Sequence, residues 1–488
     1  MSKHEKAIIY IFIVYSLVLF IWTTSTIIRF PYGVDYGEAP LMDQVRRIQN
    51  GEILYKTDIN TPPYVVSNYP PLYPLFVALT NSISKISLFQ SGRMISLSFS
   101  LISGAIIGLF GLHLTGNKIF GYFAAALFWG HPYVMTWSSL ARVDMMALAF
   151  SLLGLWILYR HWKSWTWLAI AILCFLASAF TRQTYLLAGP LGGFVWLWCQ
   201  NHRRSLAFAS LFGFSGLLIF GLINLITKGG FYNNIVVANI NQYDISRTLA
   251  MSEQFLAIWP VILLTGLVAA IVTTWAQLRK GKTNQDVTGQ QPFIFYGLVF
   301  YSFGALISTL TVGKVGSDSN YFLELIAASV LWCVIAVKFI LEQKKSIRKA
   351  CLGLLFIQLI WMLAVGYWFN RTTIGERWRQ IAFYEGLFQQ VQSATNNGIV
   401  LSDDYLDMVV LSGQSIYYQP FEYGQLFLGG LWDPSNFALE IESQKFPLIL
   451  IGGHSLEKPC CWPDKLITAI SNQYEINYDP NLVTCRPK

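Results

Sequence analysis

Long apolar runs alternate with short polar breaks along most of the chain. They fall near residues 7–29, 72–86, 93–115, 120–138, 142–160, 165–180, 184–199, 205–226, 254–277, 292–312, 321–341 and 350–369. A helix needs about 20 consecutive apolar residues to cross the hydrocarbon of a bilayer, so this pattern predicts an integral membrane protein. The second run is the exception. Pro70-Pro71-Leu72-Tyr73-Pro74 opens it and Lys85 closes it, which leaves it short for a span. Whether it crosses sets the side of every later loop.

Charge decides that question, because cytoplasmic loops collect Lys and Arg. Suppose 72–86 lies along the outer interface without crossing. One side then holds Lys118, Arg160, Lys163, Arg203, Arg204, Arg279, Lys280, Lys282, Lys344, Lys345, Arg348 and Lys349. The other holds Asp35, Glu38, Asp43, Asp58, Asp144, Asp244 and Asp318. If the run crossed, the basic loops would all fall outside. The sequence therefore predicts an all-α polytopic membrane protein with about eleven transmembrane helices plus interfacial helices, its N-terminus cytoplasmic, in the plasma (inner) membrane. The first run follows Lys3 and Lys6 and reads as an uncleaved signal anchor.

After residue 370 the apolar runs stop. Residues 1–370 form the predicted membrane domain, with a first outer loop over 30–91. Residues 371–488 form a small extracytoplasmic α/β domain. In this tail 398–402 and 446–451 read as strands, and 375–392 and 465–473 as helices. Composition agrees: 54% of the 488 residues are hydrophobic and only 12% are charged, against roughly 25% charged in soluble domains. The net charge of +8 belongs to the cytoplasmic loops, so it calls for membrane lipids and not for nucleic acid. The tail thiols Cys460, Cys461 and Cys485 allow one bridge at most, and no metal-ligand spacing occurs. No internal repeat is visible.

Chemistry concentrates in the first outer loop. Asp35 stands where a helix cap would, and Glu38 opens a stretch ending at Asn50-Gly51 in which Leu41, Val45 and Ile48 share a face. An amphipathic helix on the membrane surface is predicted, with Arg46 and Arg47 placed to meet lipid phosphates. Asp35 and Glu38 have two readings: a catalytic carboxylate at the membrane surface, or capping and first-turn charge. The run Tyr69 to Pro74 also has two, an aromatic substrate groove or a device fixing how a non-crossing helix meets the interface.

Asp35-Tyr36-Gly37-Glu38, the helix to Asn50-Gly51, Leu54-Tyr55, and Asn68-Tyr69-Pro70-Pro71-Leu72-Tyr73 together resemble the GT-C glycosyltransferases. The group most alike is the bacterial protein mannosyltransferases and aminoarabinose transferases (family 39-like), multi-pass enzymes of the cell envelope that use lipid-linked sugars. The resemblance implies an acidic motif in the first outer loop. Here it is spread as Asp-x-x-Glu, so either Asp35 or Glu38 can be the catalytic carboxylate. It also implies a second acidic residue from the next outer loop, a position matched by Asp144, and a basic residue near Arg182.

Later polar residues fill in the expected site. Arg142 and Asp144 are either a local ion pair or part of it. Arg182 either snorkels to the interface or binds an anionic phosphate. Gly313 to Tyr321 is either a tight turn or a cradle to which Lys314 adds charge, and it is not a P-loop. Glu324, inside the next span, needs a partner such as Lys314 or Arg182. The predicted donor-phosphate ligands are Arg182, Lys314 and Arg142, and the predicted substrate groove is Tyr69, Tyr73, Asn320, Tyr321 and Glu324.

The chemistry so implied moves a sugar from a polyprenyl-phosphate donor to a glycan, lipid or protein acceptor on the outer face, with inversion. A carboxylate acts as general base and cations stabilise the departing phosphate. No cofactor is required, and a divalent metal is compatible. The rivals are a lipid or lipid-sugar transporter, for which repeated halves and broken helices would be expected, and a non-catalytic scaffold.

Overall fold

A computed structural model describes residues 3–84, 86–280, 293–452, 461–479 and 482–488. Lys85, Cys460 and the loop around Lys282 lie outside the described residues. The first ten longer helices are α1 (Lys3–Arg29), α2 (Glu38–Gln49), α3 (Leu72–Ser84), α4 (Leu88–Thr115), α5 (Lys118–Trp129), α6 (Pro132–Trp137), α7 (Asp144–His161), α8 (Trp165–Thr181), α9 (Ala188–Gln200) and α10 (His202–Ile226). Further long helices run over Pro260–Lys280, Val299–Leu310, Leu323–Leu341 and Lys345–Phe369.

Among the described residues six helices are long and apolar enough to cross a membrane, or seven if one bent pair counts as a span. The chain is a multi-pass membrane protein. The bent pair corrects the span expected over 254–277. Ile245–Ile258 and the helix from Pro260 meet at 91°, because a proline cannot continue the preceding helical ladder and its ring crowds the turn before it. Similarly, the run 120–138 breaks at Gly130-His131 into α5 and α6. α3 has 13 residues. At 1.5 Å per residue it reaches about 20 Å, short of the roughly 30 Å hydrocarbon.

The basic loops meet at one end of the bundle. Arg348 pairs with Glu5 of α1 at 3.3 Å, Arg160 meets His113 at 3.3 Å, and Arg204 donates to the Trp162 carbonyl at 3.0 Å. The acidic loops and the tail occupy the other end. Packing fixes the pairing of ends where the sequence offered only the alternation of charge.

The tail carries a four-stranded mixed sheet, β1 (Val400–Ser402), β2 (Leu448–Gly452), β3 (Tyr474–Asp479) and β4 (Leu482–Pro487), in the order β1-β2-β4-β3. β1 and β2 are parallel, whereas β4 is antiparallel to both its neighbours. Cys485 on β4 is a buried free thiol, with its pKa pushed up to about 12 by burial. The tail's core is shared with the first outer loop. Tyr64 accepts from Gln419 N at 3.0 Å, and Val66 N donates to the Gln419 side chain at 2.8 Å. Phe30 and Tyr32 pack with Tyr384, Leu387 and Val391.

α2 is therefore not a helix lying on the bilayer. It is wedged between bundle and tail with most of its residues buried. Arg46 donates to the Gln414 carbonyl at 2.8 Å, and Arg47 to Asp43 at 2.7 Å and the Ile416 carbonyl at 2.8 Å. The amphipathic pattern was real, but the tail, 370 residues away in sequence (416 against 46), covers the face expected to meet lipid.

Candidate active site

Between the first outer loop, the loop 313–321 and the tail opens a cleft of 390 Å³. Asp35, Tyr69, Arg142, Lys314, Asn320 and Tyr321 all line it, so six residues singled out from sequence share one wall or floor. Asp35 is anchored from below: Arg142 Nη1 donates to its Oδ2 at 3.1 Å, and Gly37 N donates to the same oxygen at 3.0 Å. No hydrogen bond among the described residues reaches Oδ1, which leaves that oxygen to a ligand. Arg142 Nη2 donates to the Tyr69 hydroxyl at 3.1 Å, and its guanidinium lies 5.4 Å from the Trp137 ring. A Cβ on Gly37 would fall 1.2 Å from Arg142 Nη1, so only glycine lets this arginine reach Asp35. Burial raises the Asp35 carboxyl above its ordinary range, against the pull of Arg142, which lowers it.

Glu38 is placed differently, and the geometry removes it from the candidates for base. It is 0% exposed and its carboxylate is saturated. Arg93 donates from Nε and Nη2 at 2.8 Å each, Ala141 N at 2.7 Å and Val34 N at 2.8 Å. Burial alone would raise its pKa, but Arg93 and these backbone donors hold it below the usual value. The same arginine donates to the carbonyls of Ile27, Phe30 and Tyr32. Glu38 and Arg93 thus pin α1, α2 and α4 together behind Asp35.

Beneath the cleft, Asp144 is fully buried and pairs with Arg182. Asn320 donates to its Oδ1 at 3.0 Å, and Arg142 Nε lies 4.0 Å from its Oδ2. Asp144 therefore orients two cations and an amide and does not face the cleft itself. The Arg182 guanidinium stacks 4.4 Å from the Tyr321 ring. Together with Lys314, Tyr69 and Asn68 it lines a side pocket of 200 Å³. Lys314 Nζ donates to the Asn239 side chain at 2.8 Å and to its carbonyl. Its loop is tied down by Val315 N to the Gln242 carbonyl at 2.8 Å and by Asp244 N to the Gly313 carbonyl at 2.8 Å. Burial lowers the Lys314 pKa.

Two residues expected in the substrate groove are elsewhere. Tyr73 is 0% exposed, its hydroxyl donating to the Gly92 carbonyl at 3.0 Å; its ring secures α3 against α4. Glu324 is buried in its helix and accepts from Ser151 at 3.0 Å, and among the described residues it forms no ion pair, since Arg182 is held by Asp144.

An apolar groove of 590 Å³ runs down beside the cleft, lined by Leu176, Phe180, Phe212, Gly216 and Phe220 of α8 and α10. Its head is formed by Lys314, Asn239 and Gln183, which also line the side pocket. The apolar groove thus has one cation, Lys314, at its head, and the side pocket that shares Lys314 is also lined by Arg182. The tail closes the opposite side with Asp403, Asp404, Phe421 and Glu422. Tyr36 donates to Glu422 at 2.8 Å, and burial raises that carboxyl. Sequence reading missed these tail carboxylates because nothing local ties them to a loop 370 residues earlier.

No protein-family model matches the sequence, nor does any curated protein. Solved structures do match. ArnT of Cupriavidus metallidurans in the apo state superposes with a TM-score of 0.63 at 10% identity, over 99% of this chain and 98% of that one. Its complex with undecaprenyl phosphate gives 0.60 at 11% identity, over 98% and 97%. The chain has the GT-C fold. The oligosaccharyltransferase of Archaeoglobus fulgidus, in a complex with zinc and sulfate, shares it at 0.58 and 12% identity, over 98% of this chain and 73% of that one. Identities this low make the fold the common property, and that fold agrees with the likeness read from the first outer loop.

Proposed function

We propose that this protein is an inverting glycosyltransferase that moves a sugar from a polyprenyl-phosphate donor to an acceptor at the outer face of the membrane. One observation carries the reading: Lys314 stands at the head of an apolar groove, it also lines a side pocket with Arg182, and the cleft it lines on its other side holds a partly exposed carboxylate, Asp35. A lipid-linked phosphate needs that sequence of environments. The similar structures bound to undecaprenyl phosphate, and to dolichol-phosphate with an inhibitory peptide, lend support.

In this mechanism the polyprenyl chain lies in the groove and its phosphate meets Lys314 and Arg182. Asp35 Oδ1 takes the proton from the acceptor hydroxyl or amine as it attacks the anomeric carbon. The C1–O bond to phosphate breaks on the opposite face, inverting the centre. The bonding pair leaves with the polyprenyl phosphate, which gains one negative charge, and the two cations stabilise that developing charge. Arg142 sets the Asp35 carboxylate in place, and Asp144 does the same for Arg182. No cofactor is needed for these steps. The eleven-span topology belongs to the proposal, with the basic end of the bundle cytoplasmic, α3 on the outer interface, and residues 371–488 as an extracytoplasmic domain.

The test is transfer by the full chain in proteoliposomes supplied with labelled polyprenyl-phosphate sugars. Release of free polyprenyl phosphate that depends on Asp35 is expected. Movement of intact lipid-linked sugar across the vesicle, with no release, would assign a transporter instead.

A further inference from the structure

At the basic end of the bundle, the turn between α7 and α8 borders a second cavity of 390 Å³. Arg160, His161, Trp162, Lys163, Ser164 and Trp196 line it, and no carboxylate does. α7 has 18 residues and runs from Asp144 beneath the cleft to His161. At 1.5 Å per residue it is about 27 Å long, close to the roughly 30 Å of hydrocarbon in a bilayer. The cavity therefore lies at the opposite membrane surface from the cleft.

Topology alone would put cations at this end, but solvated side chains on a loop would satisfy it. Here the walls are held. Ser164 N donates to the His161 carbonyl at 3.0 Å, and Ser164 Oγ caps α8 by accepting from Trp167 N at 3.4 Å. Arg204 of α10 donates to the Trp162 carbonyl at 3.0 Å, its guanidinium 4.5 Å from the Trp165 ring. Trp196 of α9 donates to the Leu158 carbonyl at 3.2 Å. Within this frame Arg160 Nη1 lies 3.3 Å from His113 Nδ1, and Lys163 Nζ 5.4 Å from the Trp162 ring. Among the described residues neither cation pairs with a carboxylate. Fixed, uncompensated positive charge around a cavity of this size suits an anion.

The surface beside the cavity says what carries that anion. Trp165, Trp167 and Trp198 are exposed around the turn, as indoles are at the level of lipid headgroups. Exposed Leu173 on α8 and exposed Leu206 and Leu211 on α10 continue the two helices into the hydrocarbon. A soluble anion would use the cavity and leave that surface alone. A phospholipid uses both, its phosphate among the cations and its chains along the helices.

We propose that this cavity binds the headgroup of an anionic phospholipid in the leaflet opposite the cleft, with Arg160 and Lys163 contacting its phosphate.

The experiment titrates the full chain, delipidated in detergent, with phosphatidylglycerol, phosphatidylcholine or glycerol 3-phosphate. Retained lipid is counted by native mass spectrometry, and the melting temperature is followed in parallel. Saturable binding of phosphatidylglycerol with a rise in melting temperature is expected, and little effect of the other two. The double variant Arg160→Gln with Lys163→Gln should need about tenfold or more lipid for half-saturation, since two basic contacts are lost. Lys163→Gln alone, at an exposed position, should shift it less and in the same direction, and serves where the double variant does not purify. Lys344→Gln with Lys349→Gln removes the same charge from exposed positions of the same end, outside the cavity, and should bind like the wild type. Each shift is read against the variant's own lipid-free melting temperature, so a loss of intrinsic stability does not mimic a loss of binding. Equal weakening in both double variants would reduce the effect to general surface charge and overturn the site. Unchanged lipid binding in the Arg160 and Lys163 variants, or equal stabilisation by glycerol 3-phosphate, would overturn it as well. No sugar donor enters the measurement, so its outcome is independent of whether the cleft transfers sugar.

Discussion

Arg142 donates to Asp35 at 3.1 Å from a position 107 residues later in the chain, and does so only because Gly37 has no side chain. The contact ties the loop after α6 to the first outer loop. It also gives the proposed base a fixed cation that lowers its pKa against the burial that raises it. A carboxylate so balanced accepts a proton more readily than an exposed aspartate does.

Asp35→Asn keeps the shape and removes the basicity. Turnover should fall by roughly 10²–10⁴, with donor saturation unchanged, when polyprenyl phosphate release is followed. Near-normal turnover would take Asp35 out of the mechanism.

The pH profile tests the same balance. The base must be unprotonated, so activity should be lost as pH falls through a pKa above the ordinary aspartate value of about 3.9. Arg142→Gln removes the lowering contribution and leaves the burial, so the acid limb of kcat/KM should move to higher pH. An unmoved or lowered limb would show that Arg142 does not act on the base.

Glu38→Gln should act on stability before chemistry. It leaves the fully buried Arg93 without its counter-charge, a loss on the order of 3–5 kcal/mol, visible as a lower melting temperature in detergent. A variant that melts normally but is inactive would restore Glu38 as a candidate base.

Lys314→Ala isolates the phosphate contact, since among the described residues Lys314 holds Asn239 and no carboxylate. Donor use should weaken by ~1.5–3 kcal/mol, the range for hydrogen bonds to charged groups, read as a rise in donor KM. Arg182→Ala is a poorer probe because it strands buried Asp144. Unchanged donor kinetics in Lys314→Ala would move the phosphate elsewhere.

Topology can be labelled directly. With the native cysteines replaced, Ser84→Cys and Ser443→Cys should react with an impermeant maleimide on intact cells, and Lys163→Cys only after lysis. All three positions are exposed. Labelling of Ser443→Cys only after lysis would invert the proposed orientation.

The sequence by itself determined the membrane character, the positions of most long helices and the loops that carry the chemistry. Those properties are written in local runs, in the cost of burying charge in hydrocarbon and in motifs a few residues long. It also singled out Asp35, Arg142, Lys314, Tyr69, Asn320 and Tyr321, which the fold brings to one cleft. Tertiary structure alone decided the partners. Glu38 meets Arg93 across 55 residues, Arg182 is claimed by Asp144 and so is lost to Glu324, Tyr73 turns into the α3–α4 contact, and the tail covers α2 and supplies Glu422, Asp403 and Asp404. A side chain's periodicity tells which face it is on, but what covers that face depends on elements hundreds of residues away. That is why the same pattern could announce a helix on the bilayer and belong to one buried beneath the tail.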